Sequence, residues 1–255
     1  MEICALASGS SGNCFYISNG EEAILIDAGI SAKQICERLA YRGRSAENIR
    51  AIFITHEHID HVRGVDVIAR KLNIPVFTTK GTSESCFLCS DDQLVNIIQN
   101  NSIIKIGKIK IETFSKSHHA SDPVSYNVIY DKKVSIVTDA GYGCKNIKKN
   151  ISDSDFLIME ANYDEDMLDN GPYPPHLKKL ISSDVGHLSN KQAALCVAEN
   201  CSGRLNNILL AHLSKTNNTP SVALDTFESL IKLRKDISPL IDVSVREEAS
   251  KLFRI

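Results

Sequence analysis

The sequence has no tryptophan, and aromatic residues make up only 6% of its 255 positions. Aliphatic side chains must therefore supply most of the hydrophobic core. No stretch approaches the roughly 18 uninterrupted apolar residues that would mark a membrane span. The opening residues, MEICALASGSSGN, lack the basic and apolar regions of a secretory signal. We therefore expect a cytoplasmic protein with no membrane association.

The sequence also lacks a strong excess of either charge, with a net charge of −2. This excludes a strongly basic nucleic-acid-binding protein but leaves room for a local basic rim. The eight cysteines are scattered, and in a cytosol they stay reduced. Only Cys86 and Cys89 form a C-x-x-C pair, and no second pair completes a four-sulfur zinc site. The favoured interpretation of this pair is two small apolar residues on a helix, ahead of a metal or redox site.

No repeat, low-complexity tract or linker divides the chain, which predicts one domain over residues 1–255. Short apolar runs bounded by turn residues predict strands, and they alternate with helical segments in two halves of similar order. This pattern favours two packed sheets with helices outside, in one α/β domain. The predicted strands are 3–6, 14–17, 23–26, 51–54, 75–78, 102–106, 108–114, 126–130, 133–138, 156–159 and 207–211, and the predicted helices are 32–42, 64–73, 175–182, 189–199 and 221–234.

The segment THEHIDH follows the apolar run AIFI and holds three of the eight histidines. His56 and His58 are two residues apart, so in an extended segment they point the same way and can chelate one metal ion. Asp60 and His61 follow in the turn to the next helix and can reach a second ion. Imidazole and carboxylate together suit zinc, and also manganese or iron.

Further ligand-type residues follow other predicted strands, where a sheet fixes their positions. A single zinc needs only three or four ligands, whereas seven candidates indicate two metal ions bridged by a carboxylate and a water. Taken singly, each residue could equally be a helix cap, a turn or a satisfied core group. The additional residues are Asp27 after ILI, His118 and His119 after the strand near residue 111, Asp139 after VSIVT, and His212 after NILLA.

The chain contains H-x-H-x-D-H, and these further residues accompany it in the expected order. It therefore resembles the metallo-β-lactamase-fold hydrolases over nearly its whole length. The resemblance implies an αββα sandwich of two mixed β-sheets flanked by helices. It also implies that Asp139 bridges the two ions and that Asp27 orients ligands from outside the metal shell. Carried over by position, one metal is held by His56, His58 and His118, and the other by Asp60, His61 and His212.

The choice between His118 and His119 stays open. In related sequences this segment resembles H-D-A-x-x-P followed by G-Y, and aligning Pro123 and Tyr126 makes His118 the ligand. His119 then stands where an aspartate is usual and becomes a residue of the outer shell. An alignment shifted by one position would exchange the two roles.

Asp139 and His212 are 73 positions apart. The resemblance therefore excludes a branch with a β-CASP insertion, which would need a whole extra domain between them. The combination of SGSSGN, HEHIDH and YPPHLKKLISSDVGHLSN is similar to the YycJ/WalJ branch. That branch implies a cytosolic 5′→3′ exonuclease acting on DNA, with a link to DNA repair.

A mechanism for such a nuclease assigns catalytic roles to Asp60, Glu160 and His187. Two divalent ions, Zn²⁺ or Mn²⁺ with iron as a further option, would polarise the scissile phosphate and generate a bridging hydroxide as nucleophile. His187 would protonate the leaving 3′-oxygen, with Glu160 orienting its ring. A cap contact at a helix start is the alternative role for His187.

Contacts to DNA, or to RNA, are assigned to Ser10, Asn13, Lys148 and Lys149. The SGSSGN turn could offer backbone N–H groups to a phosphate, or it could be only a tight turn. The lysines could form a phosphate-binding rim, although such a run is more often a solvated face. The alternative function is a small-molecule hydrolase of thioesters, lactones or cyclic phosphodiesters, since one metal cradle serves all of these reactions.

Overall fold

The computed structural model describes all 255 residues, and the chain forms two compact units. The first unit comprises Met1–Ser115, Ala120–Asp131 and Val245–Ile255. The second unit comprises Lys116–His119 and Lys132–Ser244. The expectation of a single domain over residues 1–255, without a β-CASP insertion, stays a prediction.

The first sheet lies in the first unit. Its strands are β1 (Glu2–Ala7), β2 (Cys14–Ser18), β3 (Ala23–Ile26), β4 (Ile49–Phe53), β5 (Val76–Thr79), β6 (Val95–Ile98) and β14 (Phe253–Arg254). Their order across the sheet is β14-β1-β2-β3-β4-β5-β6. Pairing is antiparallel from β14 to β3 and parallel from β3 to β6, so the sheet is mixed.

The second sheet combines antiparallel and parallel strands. Its strands are β7 (Ile103–Ile106), β8 (Ile109–Ser115), β9 (Val124–Ile129), β10 (Lys133–Val137), β11 (Phe156–Glu160), β12 (Asn207–Ala211) and β13 (Leu240–Val243). In the first unit β7, β8 and β9 pair antiparallel, and in the second unit β10, β11, β12 and β13 pair parallel in that order. The chain thus contains two mixed β-sheets flanked by helices, which confirms the expected fold class.

The helices include two that begin with the same hydrogen-bonding signature. The α-helices of the chain are α1 (Ala32–Tyr41), α2 (Ile59–Val62), α3 (Val65–Leu72), α4 (Lys80–Ser85), α5 (Lys145–Ser152), α6 (Glu165–Asn170), α7 (Pro175–Ile181), α8 (Asn190–Asn200) and α9 (Pro220–Ile231). Ser31 with Gln34 forms a capping box at α1, and Ser189 with Gln192 forms another at α8. The second box fixes the entry of the chain just after His187.

The strands that carry the site are buried on both faces. Every residue of β3, β10 and β11 is buried. Parallel strands covered on both faces are expected to be continuously apolar, which explains runs such as ILI and VSIV. Polar residues that follow these strands are therefore held by rigid, buried backbone.

Several elements were missing from the sequence-based prediction, namely β6, β13, β14, α2, α4, α5 and α6. Helix α5 has a readable signal, since Ile147 and Ile151 are buried four residues apart. The helical interpretation of Cys86 and Cys89 was wrong, because Cys86 comes directly after α4 and Cys89 lies in an irregular segment. All eight cysteines are free thiols. None of the helices combines the length and the apolarity that crossing a membrane requires.

A buried hydrogen bond of Tyr126 allows a test of how much it contributes to the stability of the fold. Its buried hydroxyl donates a hydrogen bond of 2.7 Å to the Ile54 carbonyl oxygen. Tyr126→Phe leaves that buried oxygen without its donor, so the free energy of unfolding should fall by about 1–3 kcal/mol in urea denaturation. Tyr130→Phe, at a ring that is 45% exposed, is the control and should leave stability unchanged. Equal stability of the two variants would show that the Tyr126 hydroxyl contributes nothing.

Candidate metal centre

The HEHIDH segment of the first unit is held close to the end of β3. The backbone N–H of Asn13 donates to the Asp60 carbonyl at 2.7 Å, and that of Ala28 donates to the His61 carbonyl at 2.9 Å. A Cβ at Gly29 would lie 1.6 Å from the Asp60 carbonyl oxygen. Only glycine permits this approach, so Gly29 positions the ligand segment although it carries no ligand atom.

Asp27 orients His61 through a buried hydrogen bond. Its Oδ2 lies 2.7 Å from Nδ1 of His61, and both side chains are fully buried. The same carboxylate accepts hydrogen bonds from the backbone N–H of Thr55 at 2.8 Å and from its hydroxyl at 2.9 Å. With Nδ1 donating to Asp27, the second ring nitrogen of His61 faces Asp60, whose Oδ2 is 3.5 Å away. A carboxylate that accepts a hydrogen bond in this way is the usual outer partner of a metal-ligating imidazole.

His56 and His58 present two nitrogens at a spacing that suits one ion. The Nε2 atom of His56 lies 3.0 Å from Nδ1 of His58. Two ligands of a tetrahedral zinc ion, with bonds of 2.0–2.1 Å, are roughly 3.3 Å apart. Nδ1 of His56 lies 2.9 Å from the Thr55 hydroxyl, whose proton is directed to Asp27. The hydroxyl therefore accepts from Nδ1 of His56, and Nε2 keeps its lone pair for a metal.

Glu160 is the corresponding carboxylate of the second unit. It is fully buried at the end of β11. Its Oε1 atom lies 2.7 Å from Nδ1 of His187 and 2.9 Å from Nδ1 of His212. Its Oε2 atom accepts from the backbone N–H groups of Ala140, at 2.9 Å, and Leu188, at 3.3 Å. Burial alone would raise the pKa of Glu160, but His187 and His212 outweigh it and hold the pKa at about 2.

His118, Asp139 and His212 meet in the second unit. Oδ1 of Asp139 lies 3.8 Å from Nε2 of His118 and 3.5 Å from Nε2 of His212. Nδ1 of His118 lies 3.0 Å from the Gly186 carbonyl oxygen, so Nδ1 carries the proton and Nε2 the lone pair. Burial is the main cause that lowers the pKa of His118 to about 3. The neutral imidazole is the form that binds metals.

The donor sets of both units fit divalent metals. In four imidazoles one ring nitrogen donates to a carboxylate, hydroxyl or carbonyl oxygen, and the other ring nitrogen lies 3.0–3.8 Å from a ligand-type atom of another residue. They are His56, His61, His118 and His212. In the second unit, ligand atoms of Asp139, Glu160, His187 and His212 all lie within 4.8 Å of one another. Clustered nitrogen and oxygen donors of this kind suit zinc and related divalent ions.

Three site residues share an unusual backbone conformation. Asp27, Asp139 and His212 follow β3, β10 and β12, and their φ angles are 60°, 53° and 57°. Residues other than glycine rarely adopt this left-handed region, which costs roughly 1–3 kcal/mol each. Such outliers cluster at functional sites, and here each one lets the chain turn sharply while it keeps a polar side chain at the strand end.

The remaining predicted residues occupy different environments. His119 is exposed, and its backbone N–H donates to the Val185 carbonyl at 2.8 Å. Ser10 is also exposed. Asn13 is fully buried, and its amide nitrogen lies 3.2 Å from Oδ2 of Asp60 and 3.1 Å from Nε2 of His61. Lys148 and Lys149 are exposed on α5.

Sequence reasoning missed three residues that support the site, namely Gly29, Thr55 and Asn162. Thr55 directly precedes the histidine motif, and Gly29 lies in the DAG that follows β3, so both had a local signal. Asn162 had none. Its amide nitrogen donates to the His212 carbonyl oxygen at 2.8 Å, across 50 positions of sequence.

Comparison with known proteins agrees with this arrangement. The family model of the metallo-β-lactamase superfamily matches residues 7–148. The structure superposes on the metallo-β-lactamase fold protein YhfI from Bacillus subtilis with a TM-score of 0.70 and 14% identity, over 98% of each chain. The chain belongs to the metallo-β-lactamase superfamily, and it is a metal-dependent hydrolase.

Within this superfamily the chain is similar to exonucleases named WalJ and YycJ. It is 38% identical to exodeoxyribonuclease WalJ of Streptococcus pneumoniae serotype 2 (strain D39 / NCTC 7466), over 86% of this chain and 83% of that protein. It is 34% identical to exodeoxyribonuclease YycJ of Bacillus anthracis, over 88% of this chain and 86% of that protein. The resemblance expected from the sequence is thus confirmed.

Asp27→Asn tests the role of the buried Asp27–His61 hydrogen bond in metal binding. The amide cannot hold His61 as the carboxylate does, so zinc or manganese affinity should fall roughly 10- to 100-fold in calorimetric titration of the metal-free protein. Asp225→Asn, at an exposed position on α9, is the matched control. Circular dichroism separates lost affinity from lost folding. Unchanged affinity in a folded Asp27→Asn protein would contradict the assigned role.

Proposed function

We propose that this protein is a DNA exonuclease that hydrolyses phosphodiester bonds in the 5′→3′ direction with two divalent metal ions. The observation that carries the proposal is the pairing of His187 with the buried Glu160 carboxylate at 2.7 Å, beside His212 and Asp139. This pairing supports a proton-donor role for His187 beside a metal-type cluster, as cleavage of a phosphodiester with a poor leaving group requires. The similarity to two exodeoxyribonucleases over most of the chain supports DNA as the substrate.

The proposed ligand set follows the superfamily motif. We assign His56, His58 and His118 to one ion, Asp60, His61 and His212 to the other, and Asp139 to both. The ions are Zn²⁺ or Mn²⁺, and when bound they supply positive charge to the phosphate and lower the pKa of a coordinated water. His118 is preferred to His119 because it is buried and faces Asp139, whereas His119 is exposed.

His187 is the residue to which we assign protonation of the leaving 3′-oxygen. Its Nδ1 donates to Glu160, so Nε2 is the atom that delivers the proton. The side chain is 20% exposed, which gives a substrate access to it, while Glu160 is fully buried. Glu160 stabilises the protonated ring and fixes its orientation. Replacement of the carboxylate would therefore affect both the charge and the position of the donor.

Asp60, which lies in the first unit, is the remaining residue with a proposed catalytic role. Its Oδ2 atom lies 3.2 Å from the amide nitrogen of Asn13, which donates to it. Because Asn13 is fully buried, we assign it an indirect role through Asp60 in place of the direct substrate contact expected from the sequence. Direct contacts are assigned to Ser10, Lys148 and Lys149, all of which are exposed. The cytoplasm is the proposed compartment, since none of the eight cysteines forms a disulfide.

Substrate class is tested by incubating zinc- or manganese-loaded protein with end-labelled single- and double-stranded DNA, with RNA and with bis-p-nitrophenyl phosphate. We expect progressive shortening of DNA from its 5′ end, and no turnover by His61→Ala. Turnover of the small diester without cleavage of any polymer would overturn the nuclease assignment in favour of a small-molecule hydrolase. Activity retained by His61→Ala would show that the assigned centre is not the active one.

The role of His187 is tested by the dependence on the leaving group. His187→Gln should lower kcat on DNA roughly 100- to 10,000-fold, because an alkoxide leaving group needs a proton. The loss on bis-p-nitrophenyl phosphate should be much smaller, because p-nitrophenolate leaves without protonation. His176→Gln, at an exposed histidine of α7, is the control. Equal losses on both substrates would contradict the proton-donor role.

A further inference from the structure

A cavity of about 270 Å³ lies between α5 and α8 in the second unit. It borders the segment that follows Asp139 and the segment that follows His187. Pockets that enclose drug-sized ligands measure roughly 300–1,000 Å³, so this cavity suits a smaller group. Its lining includes Tyr142, Lys148, Leu188, Gln192, Leu195 and Glu199.

Tyr142 is the aromatic wall of the cavity. Its side chain is 46% exposed in a chain whose other tyrosines include fully buried ones such as Tyr16 and Tyr126. The ring makes no aromatic stacking or cation–π contact within the chain, and the Tyr142 backbone carbonyl accepts a hydrogen bond of 2.9 Å from the N–H of Cys144. An exposed ring of this kind is a surface on which a nucleobase can stack, since every base has a π-face.

The loop that carries Tyr142 is fixed against α8. A Cβ at Gly143 would lie 2.7 Å from the Sγ atom of Cys196 and 3.7 Å from Cε of Lys148. The loop therefore touches the helix closely, which keeps the ring of Tyr142 in place at the rim. Cys196 is buried behind it and does not face solvent.

Lys148 provides a cation at the same rim. It is exposed on α5, and its ammonium makes no salt bridge with any carboxylate of the chain. Its positive charge is therefore available to a phosphate oxygen. An aromatic ring beside a cation is the combination by which proteins hold single-stranded nucleic acid.

Helix α8 forms the opposite wall with one face. Gln192, Leu195 and Glu199 recur at helical spacing, and Leu195 is 37% exposed. Leucine provides an apolar contact for the second face of a stacked ring. The amide of Gln192 and the carboxylate of Glu199 offer hydrogen-bonding groups to the edge of a base.

The cavity is joined directly to the proposed proton donor. Leu188 follows His187 in the chain, and its N–H donates to Oε2 of Glu160 at 3.3 Å. Tyr142 follows Asp139 by three residues. Chain continuity thus holds one wall of the cavity next to His187, the residue assigned to protonate the leaving 3′-oxygen. That oxygen belongs to the nucleotide on the 5′ side of the scissile phosphate.

We propose that this cavity binds the base of the 5′-terminal nucleotide of single-stranded DNA, stacked on Tyr142, with Lys148 contacting the phosphate backbone. The inference rests on the proposed exonuclease function and assigns it a subsite. The subsite recognises the flat face that every base presents and not the identity of one base. It therefore tolerates all four bases and rejects an abasic sugar.

The test compares single-stranded oligonucleotides that differ only in one abasic position. An abasic 5′-terminal nucleotide should raise KM for the metal-loaded wild-type enzyme roughly 5- to 150-fold, the range expected for one stacked base. An abasic nucleotide far from the 5′ end should have no such effect. Tyr142→Ala should raise KM for the intact oligonucleotide by a similar factor and remove the discrimination, while Tyr142→Phe keeps it.

Matched controls are available in the chain. Tyr130→Ala changes a ring of similar exposure on the first unit, and Lys235→Ala removes an exposed lysine outside the cavity. Lys148→Ala should raise KM and weaken its salt dependence, and Lys235→Ala should do neither. Folding of every variant is checked by circular dichroism.

Two failures are distinguishable. Digestion of DNA without regard to the terminal base, or a Tyr142→Ala enzyme that behaves like Tyr130→Ala, overturns the subsite and leaves the exonuclease function standing. A wild-type enzyme that leaves every oligonucleotide intact overturns the exonuclease function, and the subsite with it.

Discussion

Buried carboxylates that hold imidazole rings are the interaction on which the site depends. Asp27 holds His61 in the first unit, and Glu160 holds His187 and His212 in the second. A buried anion is destabilising unless it is paired and hydrogen-bonded. Backbone N–H groups therefore support both carboxylates, from Thr55 on Asp27 and from Ala140 and Leu188 on Glu160. The backbone N–H groups hold the carboxylates in position, and the carboxylates in turn stabilise the backbone segments that donate to them.

This network also explains why the chain tolerates left-handed backbone at Asp27, Asp139 and His212. Glycine would adopt this conformation without strain, but it would provide no carboxylate and no imidazole. The hydrogen bonds formed by the side chains offset the local cost. His212 illustrates this, since Asn162 donates to its carbonyl oxygen while Glu160 accepts from its ring. Strain is thus located where the function needs a polar group immediately after a buried strand.

Local signals made much of this architecture predictable. The strands of the two sheets are short apolar runs bounded by turn residues, and β3 and β12 occur at the predicted positions. The HEHIDH motif could be recognised because its ligand types lie within six positions. What the sequence did not reveal depends on contacts between distant segments. The edge strand β13 has mostly half-buried residues and no alternating pattern, and the contact of Gly29 with Asp60 spans 31 positions. Neither feature has a period that a local pattern could expose.

The charge of the protein constrains how it engages a polyanion. With 31 acidic and 29 basic residues, the chain has no net positive field to attract DNA from a distance. Binding must therefore depend on local contacts, and the lysines of α5 provide positive charge beside the cavity that Tyr142 borders. Tight binding spread along the substrate would lower KM without accelerating the chemical step. Contacts placed next to the reacting bond would instead align it with His187, the proton donor that we propose. A nearly neutral protein with a concentrated contact region is therefore suited to act at a strand end.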